Sequence, residues 1–218
     1  MCERARPPYE RALAYGPYEG ALRDLIHLMK YARVQTAAPV LGRMLAEVVA
    51  GLEIAGERVL VVPVPLYTGK QRQRGFNQAL EITRAAFRPP FAPPKSGVAK
   101  DGAPRFELAA ERLVRVRDTV SQTGLTRHQR RENVRGAFAA VEPEKLEGAT
   151  VLLVDDVMTT GTTAAECAKV LRRAGAEKVY VATVARVLRS DAQLVEPESS
   201  EPEEFEDEPT TKSMAAYA

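Results

Sequence analysis

The sequence lacks several residue types, and each absence argues against a class of protein. It has no tryptophan, and only 6% of its 218 residues are aromatic. Its two cysteines, Cys2 and Cys167, cannot form a disulfide framework. No apolar run approaches the ~18 residues of a membrane-spanning helix, and the first residues do not have the apolar stretch of a signal peptide. We therefore expect a globular protein of the reducing cytoplasm, without a membrane span.

Charge is unevenly distributed along the chain. Residues 196–218 hold eight acidic residues and one basic residue, a net charge of −7. The rest of the chain holds 30 basic and 21 acidic residues, a net charge of +9. A basic body predicts an anionic ligand, such as a nucleic acid, a phosphorylated metabolite or a membrane surface.

Composition also divides the chain into segments. Residues 191–218 are polar, acidic and poor in large apolar groups, so we expect a disordered acidic tail. Residues 89–107 contain five of the 15 prolines, which predicts a long mobile loop. We expect one domain over 13–190, which includes this loop and follows an N-terminal remnant over 1–12.

Between these segments, hydrophobic periodicity predicts helices that alternate with strands. Apolar residues recur at helical spacing over 22–29, 41–52, 76–87 and 167–174. Thr36 is the expected N-cap of the second helix. Apolar or alternating runs predict strands over 59–62, 112–117, 136–141, 151–154 and 179–184, of which 112–117 is a strand or a hairpin arm. This order predicts an α/β fold with a central, mainly parallel sheet flanked by helices.

The segment that carries most chemistry is 150–163, which reads TVLLVDDVMTTGTT. Its apolar residues predict a buried strand that leads into Asp155 and Asp156, and ligands of open α/β sheets bind at that carboxyl end. Gly161 lets the backbone approach a phosphate, and the N–H groups at the start of the following helix favour an anion. Further donors are the hydroxyls of Thr159, Thr160, Thr162 and Thr163.

The two aspartates suit a different part of the same ligand. Carboxylates do not suit a phosphate, but they accept hydrogen bonds from vicinal hydroxyls. An aspartate pair beside a phosphate cradle therefore predicts a ribose 5-phosphate. The segment does not match G-x-x-x-x-G-K-[ST], which argues against a P-loop nucleotidase. The competing interpretation is a strand–turn–helix unit with exposed aspartates.

Residues 151–163 resemble the 5-phosphoribosyl 1-diphosphate (PRPP) signature of type I phosphoribosyltransferases. Two further motifs, PVPL at 63–66 and RGFNQ at 74–78, make the chain similar to the ComF-type (competence protein F) members of that family. The resemblance covers about residues 7–189. It implies a type I phosphoribosyltransferase fold, in which a mobile loop and a small hood accompany the central sheet.

The resemblance also implies roles for residues outside the signature. Val64 and Pro65 stand where relatives have a loop whose backbone amides contact the diphosphate. Since proline has no N–H, the donors must be Val64, Leu66 or later residues. Asn77 and Gln78 contact a base or acceptor, or merely cap a helix. Candidate diphosphate ligands with a guanidinium fork are Arg72, Arg74 and Arg117.

The implied cofactor is Mg²⁺, bound through PRPP and not by protein ligands that the sequence identifies. Many relatives begin with a four-cysteine zinc ribbon, but only Cys2 stands in that position, so zinc is not expected. Purine-salvage relatives have an aspartate base where this chain has Thr159, and the glutaminase domain of amidophosphoribosyltransferases is not present. We therefore expect neither purine salvage nor purine synthesis.

Two hypotheses of function follow. In the first, the protein is a PRPP-dependent transferase that displaces diphosphate at ribose C1, with Asp155 and Asp156 as its catalytic residues. In the second, it is a non-catalytic module of DNA uptake, regulated by PRPP, that contacts single-stranded DNA or a competence helicase. The basic body favours such contacts, whereas the lack of tryptophan argues against base stacking. Because relatives of this fold are often dimers, a homodimer is a further expectation.

Other reactive side chains are expected to be structural or solvated. His27 shares a polar helix face with Arg23 and Lys30, which predicts a surface position without a catalytic role. His128 lies in a basic stretch and is expected to be solvated. Cys167 lies on the apolar face of its helix, which predicts a core position.

Overall fold

A computed structural model of the protein describes residues 7–32, 34–52, 54, 58–88, 104–119 and 126–188. Its strands are β1 (Arg11–Pro17), β2 (Arg58–Pro63), β3 (Arg105–Leu108), β4 (Leu113–Arg115), β5 (Phe138–Ala140), β6 (Thr150–Met158) and β7 (Lys178–Arg186). Its α-helices are α1 (Gly20–Tyr31), α2 (Ala38–Ala50), α3 (Thr68–Arg74), α4 (Gln78–Ala86), α5 (Arg127–Val134) and α6 (Thr162–Arg173).

Five of the strands form one parallel sheet in the order β1-β7-β6-β2-β3. The middle strand, β6, pairs with β7 on one side and with β2 on the other. The pairing with β7 continues past the apolar part of β6, to Met158 opposite Arg186. Because the strands run parallel, their carboxyl ends meet at the same edge of the sheet, and this edge holds the candidate site.

Helices cover both faces of the sheet. In β6, Leu152 and Val154 belong to a core shared with α1, α2 and α4, whereas Val151 and Leu153 belong to a second core shared with α6. We call these two sides the α1 face and the α6 face. The alternation follows from the strand pleat, which turns successive side chains to opposite faces. The same rule applies to the polar residues that follow in β6.

On the α1 face, α2 and α4 pack at close range. A Cβ added at Gly42 would lie 2.6 Å from the Cβ of Ala85 and 2.8 Å from the N of Ala86. Both distances are shorter than real contacts of a Cβ atom. The crossing of the two helices therefore requires glycine at this position.

A small antiparallel sheet of β4 and β5 lies on the α6 face. Leu113 of β4 and Phe138 of β5 are buried in the same core as α6. The preceding helix α5 begins with a capping box, in which the Thr126 hydroxyl accepts from the N–H of Gln129 and the Gln129 side chain accepts from the N–H of Thr126. Such a start fixes α5 locally even though its sequence is strongly polar.

The predicted α/β architecture with a central parallel sheet is confirmed, and most elements lie where periodicity places them. Strand β1 is not predicted. Its pairing begins with the N–H of Glu10, which donates to the carbonyl of Val179, so the sheet includes part of the segment 1–12 that we expected to be a remnant. Strand β3 is also a correction, because the proline-rich loop over 89–107 was expected to include its residues.

A local correction concerns the start of α2. Thr36 lies in the 3₁₀ turn Gln35–Ala37, and the N-cap of α2 is Ala37, without a side-chain hydrogen bond. Other expectations lie outside the described residues, namely the tail over 191–218, Cys2, and residues 89–103 of the proline-rich loop.

Candidate functional site

The two aspartates of β6 lie on opposite faces of the sheet. Asp155 stands opposite Thr183 of β7, and both residues line a cleft on the α6 face. Asp156 points to the α1 face, where its carboxylate forms an ion pair with Lys30 of α1. The sequence predicted that both carboxylates serve one ligand. Of the two, the structure places only Asp155 among the residues that line the cleft.

The cleft lies between the end of β6 and the N-terminus of α6. It encloses about 240 Å³, part of which is open to solvent. Four of the five residues of the predicted phosphate loop line it together with Asp155: Thr159, Gly161, Thr162 and Thr163. The fifth, Thr160, shares a 2.7 Å hydrogen bond between its hydroxyl and that of Thr162. The structure thus joins the predicted phosphate loop to one of the two predicted carboxylates.

The conformation of the loop depends on Gly161. This residue is the N-cap of α6, and its φ of 73° lies in the left-handed region that favours glycine. No side chain caps the helix there. Since the first N–H groups of a helix have no partner within it, they and the positive end of the helix dipole face the cleft side of the loop. This arrangement suits a phosphate group.

Asp155 has an unusual affinity for a proton. Its pKa is raised from 3.8 to about 7, chiefly by burial and then by the negative charge of Asp156, while the positive charge of Lys30 acts in the opposite direction. The N–H of Asp156 donates to Oδ1 of Asp155 at 2.9 Å and fixes the carboxyl group. Near neutral pH the cleft therefore presents a carboxyl that exchanges readily between its acid and carboxylate forms.

Lys30 is a site residue that the sequence interpretation did not identify. Its Nζ lies 3.0 Å from Oδ2 of Asp156, and the two side chains are only 17% and 12% exposed. Burial lowers the pKa of Lys30, but the charge of Asp156, together with Tyr18, outweighs this effect and leaves the pKa raised. The spacing of the sequence could have identified Lys30. It follows the buried Ile26 by four residues and so lies at the border of the inward helix face.

The structure supports the helix-capping interpretation of Asn77. Its Oδ1 accepts from the N–H of Leu80 at 3.3 Å, and its Nδ2 donates to the carbonyl of Val64 at 3.0 Å. Gln78 is only 2% exposed. Its Oε1 accepts a hydrogen bond from Arg74, whereas its Nε2 is buried without a partner.

The N–H of Val64, one of the candidate backbone donors to the diphosphate beside Leu66 and later residues, already has a partner in the sheet. Its N–H donates to the carbonyl of Val154 at 2.8 Å, which extends the pairing of β2 with β6. Its carbonyl accepts from Asn77. Both backbone groups of Val64 are therefore engaged inside the fold. Pro65 follows at the carboxyl edge and is half-buried.

The three candidate diphosphate arginines have different environments. Arg72 is exposed on α3. Arg74, at the end of the same helix, is half-buried and lies over the ring of Tyr31 at 5.8 Å from its centre. Arg117 donates to the carbonyls of Asn133 and Arg135 at 2.9 and 2.8 Å. The side chain of Arg117 therefore joins the segment after β4 to the end of α5 by hydrogen bonds. The sequence did not indicate this structural role.

Arg115, in the predicted strand or hairpin arm over 112–117, lies nearer to the charged centre. Its guanidinium stands 5.4 Å from the centre of the Phe138 ring and donates to the hydroxyl of Thr119. Burial lowers its pKa, and its charge interacts with Cys167 and Asp155. The Nε of Arg115 is buried without a partner. Arg115 is therefore a half-buried cation whose charge acts on the carboxyl group of Asp155.

The remaining reactive side chains lie as expected. Cys167 is fully buried in the α6 core, and burial raises the pKa of its thiol well above its ordinary value. His27 and His128 are exposed. Among the described residues, no group of three or more His, Cys, Asp or Glu side chains could hold a metal ion by itself. No helix in the described part of the chain is long and apolar enough to cross a membrane.

Comparison with known proteins places these features in a family. The model of the family described as phosphoribosyl transferase domain matches residues 96–208. This match contains β6, the loop 159–163 and α6, which together form the cleft.

Two curated proteins are similar over most of the chain. The DNA utilization protein YhgH of Salmonella typhimurium is 32% identical over 193 residues, which are 86% of this chain and 77% of that protein. The competence protein F of Haemophilus influenzae is 31% identical over 189 residues, which are 85% of this chain and 76% of that protein.

A solved structure is also similar, at greater distance. The allosteric regulatory enzyme of purine biosynthesis shares 26% identity, with 69% of this chain and 26% of that chain covered and a TM-score of 0.37.

Proposed function

Because this chain belongs to the phosphoribosyltransferase domain family, and to its ComF-type members, we propose that it binds PRPP in the cleft on the α6 face. The observation that carries the proposal is the position of Asp155 beside the phosphate loop in one cleft. In this proposal Asp155 accepts hydrogen bonds from the ribose hydroxyls. The loop 159–163 and the first turn of α6 bind the 5-phosphate.

The two ends of the cleft have the polarity that this ligand needs. At the α6 end, the helix dipole and the threonine hydroxyls supply donors for a dianionic phosphate. At the β6 end, a carboxylate accepts from hydroxyl groups, which are donors. A ligand with a phosphate at one end and vicinal hydroxyls further along matches both ends at once. A simple inorganic anion would use the α6 end alone and would form no hydrogen bond with Asp155.

The leaving diphosphate needs cations, and the carboxyl edge has several. Arg72 and Arg74 are the candidates that we retain, because the side chain of Arg117 serves the carbonyls of α5. Arg115 adds a half-buried positive charge that interacts with Asp155. Stabilisation of charge on the leaving group is the main task of an enzyme in a displacement of this kind.

The residues present fit a magnesium ion that arrives with its ligand. The described part of the chain has no cluster of side chains able to enclose a metal ion alone, and Mg²⁺ usually keeps several waters and binds through substrate phosphates. When bound, Mg²⁺ would neutralise charge on the diphosphate. The protein's own contribution is to orient the ribose through Asp155 and to fix the position of the 5-phosphate through the loop 159–163.

We propose that the bound PRPP is a transferase substrate whose diphosphate at ribose C1 is displaced by an acceptor. The positive character that develops at the ribose in such a displacement is favoured by the carboxylate of Asp155. Thr159 has no acid or base function near neutral pH, so any proton transfer from the acceptor must involve another group. We place this activity in the cytoplasm, where PRPP would be the partner ligand.

Isothermal titration calorimetry with PRPP and Mg²⁺ tests the proposal. We expect binding by the wild-type chain and at least about a tenfold loss of affinity in Asp155→Asn, since one charged hydrogen-bond acceptor is worth 1.5–3 kcal/mol in round figures, roughly one to two factors of ten. A matched control is Asp24→Asn on α1, whose side chain is 72% exposed. The control should bind as the wild type does.

Two results would reject the proposal. One is no heat of binding by the wild-type chain at millimolar PRPP. The other is equal affinity in Asp155→Asn and the wild type, which would separate the aspartate from the ligand. Adding ribose 5-phosphate in place of PRPP distinguishes recognition of the sugar phosphate from recognition of the diphosphate.

A second candidate function is the binding of single-stranded DNA, because the two curated relatives carry names that refer to DNA utilization and competence. The described chain offers a basic element beside the cleft, since Arg130 of α5 lies 3.5 Å from the hydroxyl of Thr159. A gel shift with a single-stranded oligonucleotide at increasing salt tests this candidate. Binding that weakens steeply with salt is expected, and no shift at low salt would reject it.

A further inference from the structure

The ion pair between Lys30 and Asp156 has no part in the cleft itself. The pleat of β6 turns Asp156 to the α1 face, away from the residues that line the cleft. The two charged atoms are 3.0 Å apart, and both side chains are more than four-fifths buried. A buried ion pair of this kind is strongly coupled, because little water screens its charges.

Other charged groups near this pair come from several elements. Lys30 interacts with Tyr18, which precedes α1, and with Arg74 at the end of α3. On the α6 face, Arg115 of β4 and Cys167 of α6 interact with Asp155. Among these groups, Lys30 is the cation in direct contact with Asp156.

We propose that Lys30 is a positioning residue of the cleft: its ion pair with Asp156 fixes that side chain on the α1 face and, through the strand, sets the charge of Asp155 on the α6 face. Asp155 and Asp156 are neighbours in the chain, and the N–H of Asp156 donates to the carboxyl of Asp155. The negative charge of Asp156 also acts on Asp155 and raises its pKa, after the larger effect of burial. The inference rests on the proposed function only for the identity of the ligand that binds beside Asp155.

The two adjacent aspartates differ in their surroundings, because Asp156 forms the ion pair with Lys30. Two adjacent buried carboxylates cannot both be ionised without a compensating cation. Lys30 forms its ion pair with Asp156, and its positive charge also lowers the pKa of Asp155, against the larger effects of burial and of the negative charge of Asp156. Without Lys30 the same proton would be held more tightly in the pair, and the cleft would present a neutral acid at neutral pH.

Carboxyl ¹³C NMR of the full chain, labelled at aspartate, measures this effect without any ligand. The Asp155 signal is assigned by its loss in Asp155→Asn, and its titration midpoint is compared among variants. We expect Lys30→Met to raise the midpoint by about one pH unit or more, because a cation within a few ångströms of a carboxylate pair is removed. Lys30→Arg keeps the charge and should lie within a few tenths of a unit of the wild type, on the order of the effect of altered geometry alone.

Two further variants keep the test decisive. Lys145→Met removes an exposed lysine that also forms an ion pair, with Glu142 at 2.9 Å, and it should leave the midpoint unchanged. Asp156→Asn should shift the midpoint in the opposite direction to Lys30→Met, since it removes the negative neighbour of Asp155. An unchanged midpoint in Lys30→Met, or in Asp156→Asn, would overturn the inference.

Calorimetry with PRPP then separates this inference from the proposed function. We expect Lys30→Met to bind PRPP several-fold more weakly than the wild type near pH 7 and to recover most of that loss near pH 9, where Asp155 is ionised again. If the wild type fails to bind PRPP, the proposed function fails while the NMR shifts still support Lys30. If the wild type binds and the pH profile of Lys30→Met is unchanged, the inference about Lys30 fails alone.

Discussion

Asp155 makes the stability of the folded chain depend on pH, because its pKa of about 7 lies above its ordinary value of 3.8. A carboxyl that binds a proton more tightly in the folded state than in the unfolded state stabilises the fold while it is protonated. This contribution is complete below pH 3.8, declines as the pH rises, and is lost above about pH 7. It is the opposite of the usual behaviour of an ion-paired aspartate.

We expect Asp155→Asn to remove this part of the pH dependence. The variant and the wild type should unfold with similar free energies near pH 4. Near pH 8 the variant should be more stable, by an amount on the order of a few kcal/mol at most, because a neutral amide replaces a buried charge. Urea unfolding across this range measures the difference. The exposed Asp24→Asn should follow the wild type, and a parallel curve for Asp155→Asn would refute the assignment of the raised pKa.

Single residues show how far the sequence could predict the site. The order of apolar residues, acids and threonines was enough to place Asp155, Gly161 and the phosphate loop in one region, because they are adjacent in the chain. The ion pair of Lys30 joins residues more than a hundred positions apart, and only packing of α1 on the sheet brings them together. The opposite directions of the two aspartates follow from β6 continuing to Met158, which the apolar run alone did not indicate.

On the α1 face, the close packing of α2 on α4 limits which residues can replace Gly42. Gly42 lies inside α2, where glycine costs about 1 kcal/mol of helix stability relative to alanine. The gain that local propensity would give to Gly42→Ala is opposed by the new Cβ, which would lie 2.6 Å from Ala85 and 2.8 Å from the backbone N of Ala86. Because one of these atoms belongs to the backbone, the overlap cannot be relieved by a side-chain rotation, and α2 must shift away from α4.

We therefore expect Gly42→Ala to lower the free energy of unfolding by about 1–3 kcal/mol, as overpacking of a core does. Urea unfolding followed by circular dichroism measures it. Gly51→Ala at the end of the same helix is the control, since the nearest atom to its added Cβ is at an ordinary 3.5 Å and its φ is negative. The control should change stability by no more than about 0.5 kcal/mol. A stabilised Gly42→Ala protein would show that the two helices do not pack as closely as described.

The two strands of the main sheet that the sequence missed are both edge strands. Strand β1 contains glycine, proline and small residues, which are weak strand formers, and it is held by pairing with β7 rather than by its own propensity. Strand β3 is a short, largely exposed strand at the other edge of the sheet and lacks a buried apolar run. The central strands were predictable because both of their faces are buried, and such strands have continuous apolar sequences.

At the scale of the whole molecule, the cleft and the end of the described chain lie at the same edge. Strand β7 ends at Arg186, and the N–H of Val187 donates to the carbonyl of Met158, one of the residues that line the cleft. The acidic segment 196–218 therefore begins nine residues after Val187 in the sequence. The net charge of −7 over 196–218 opposes the +9 charge of the rest of the chain, so we expect the acidic segment to compete with a polyanion for the basic residues near the cleft.

Removal of residues 196–218 raises the formal net charge from +2 to +9. We expect the shortened chain to bind a single-stranded oligonucleotide more tightly than the full chain at low salt, and the two affinities to converge as salt screens the charges. Fluorescence anisotropy over a range of salt concentrations measures both. A full-length variant with the eight acidic residues changed to their amides controls for length, and it should behave as the shortened chain does because charge is the cause. Equal affinities of all three proteins at low salt would show that the acidic segment does not compete for the basic face.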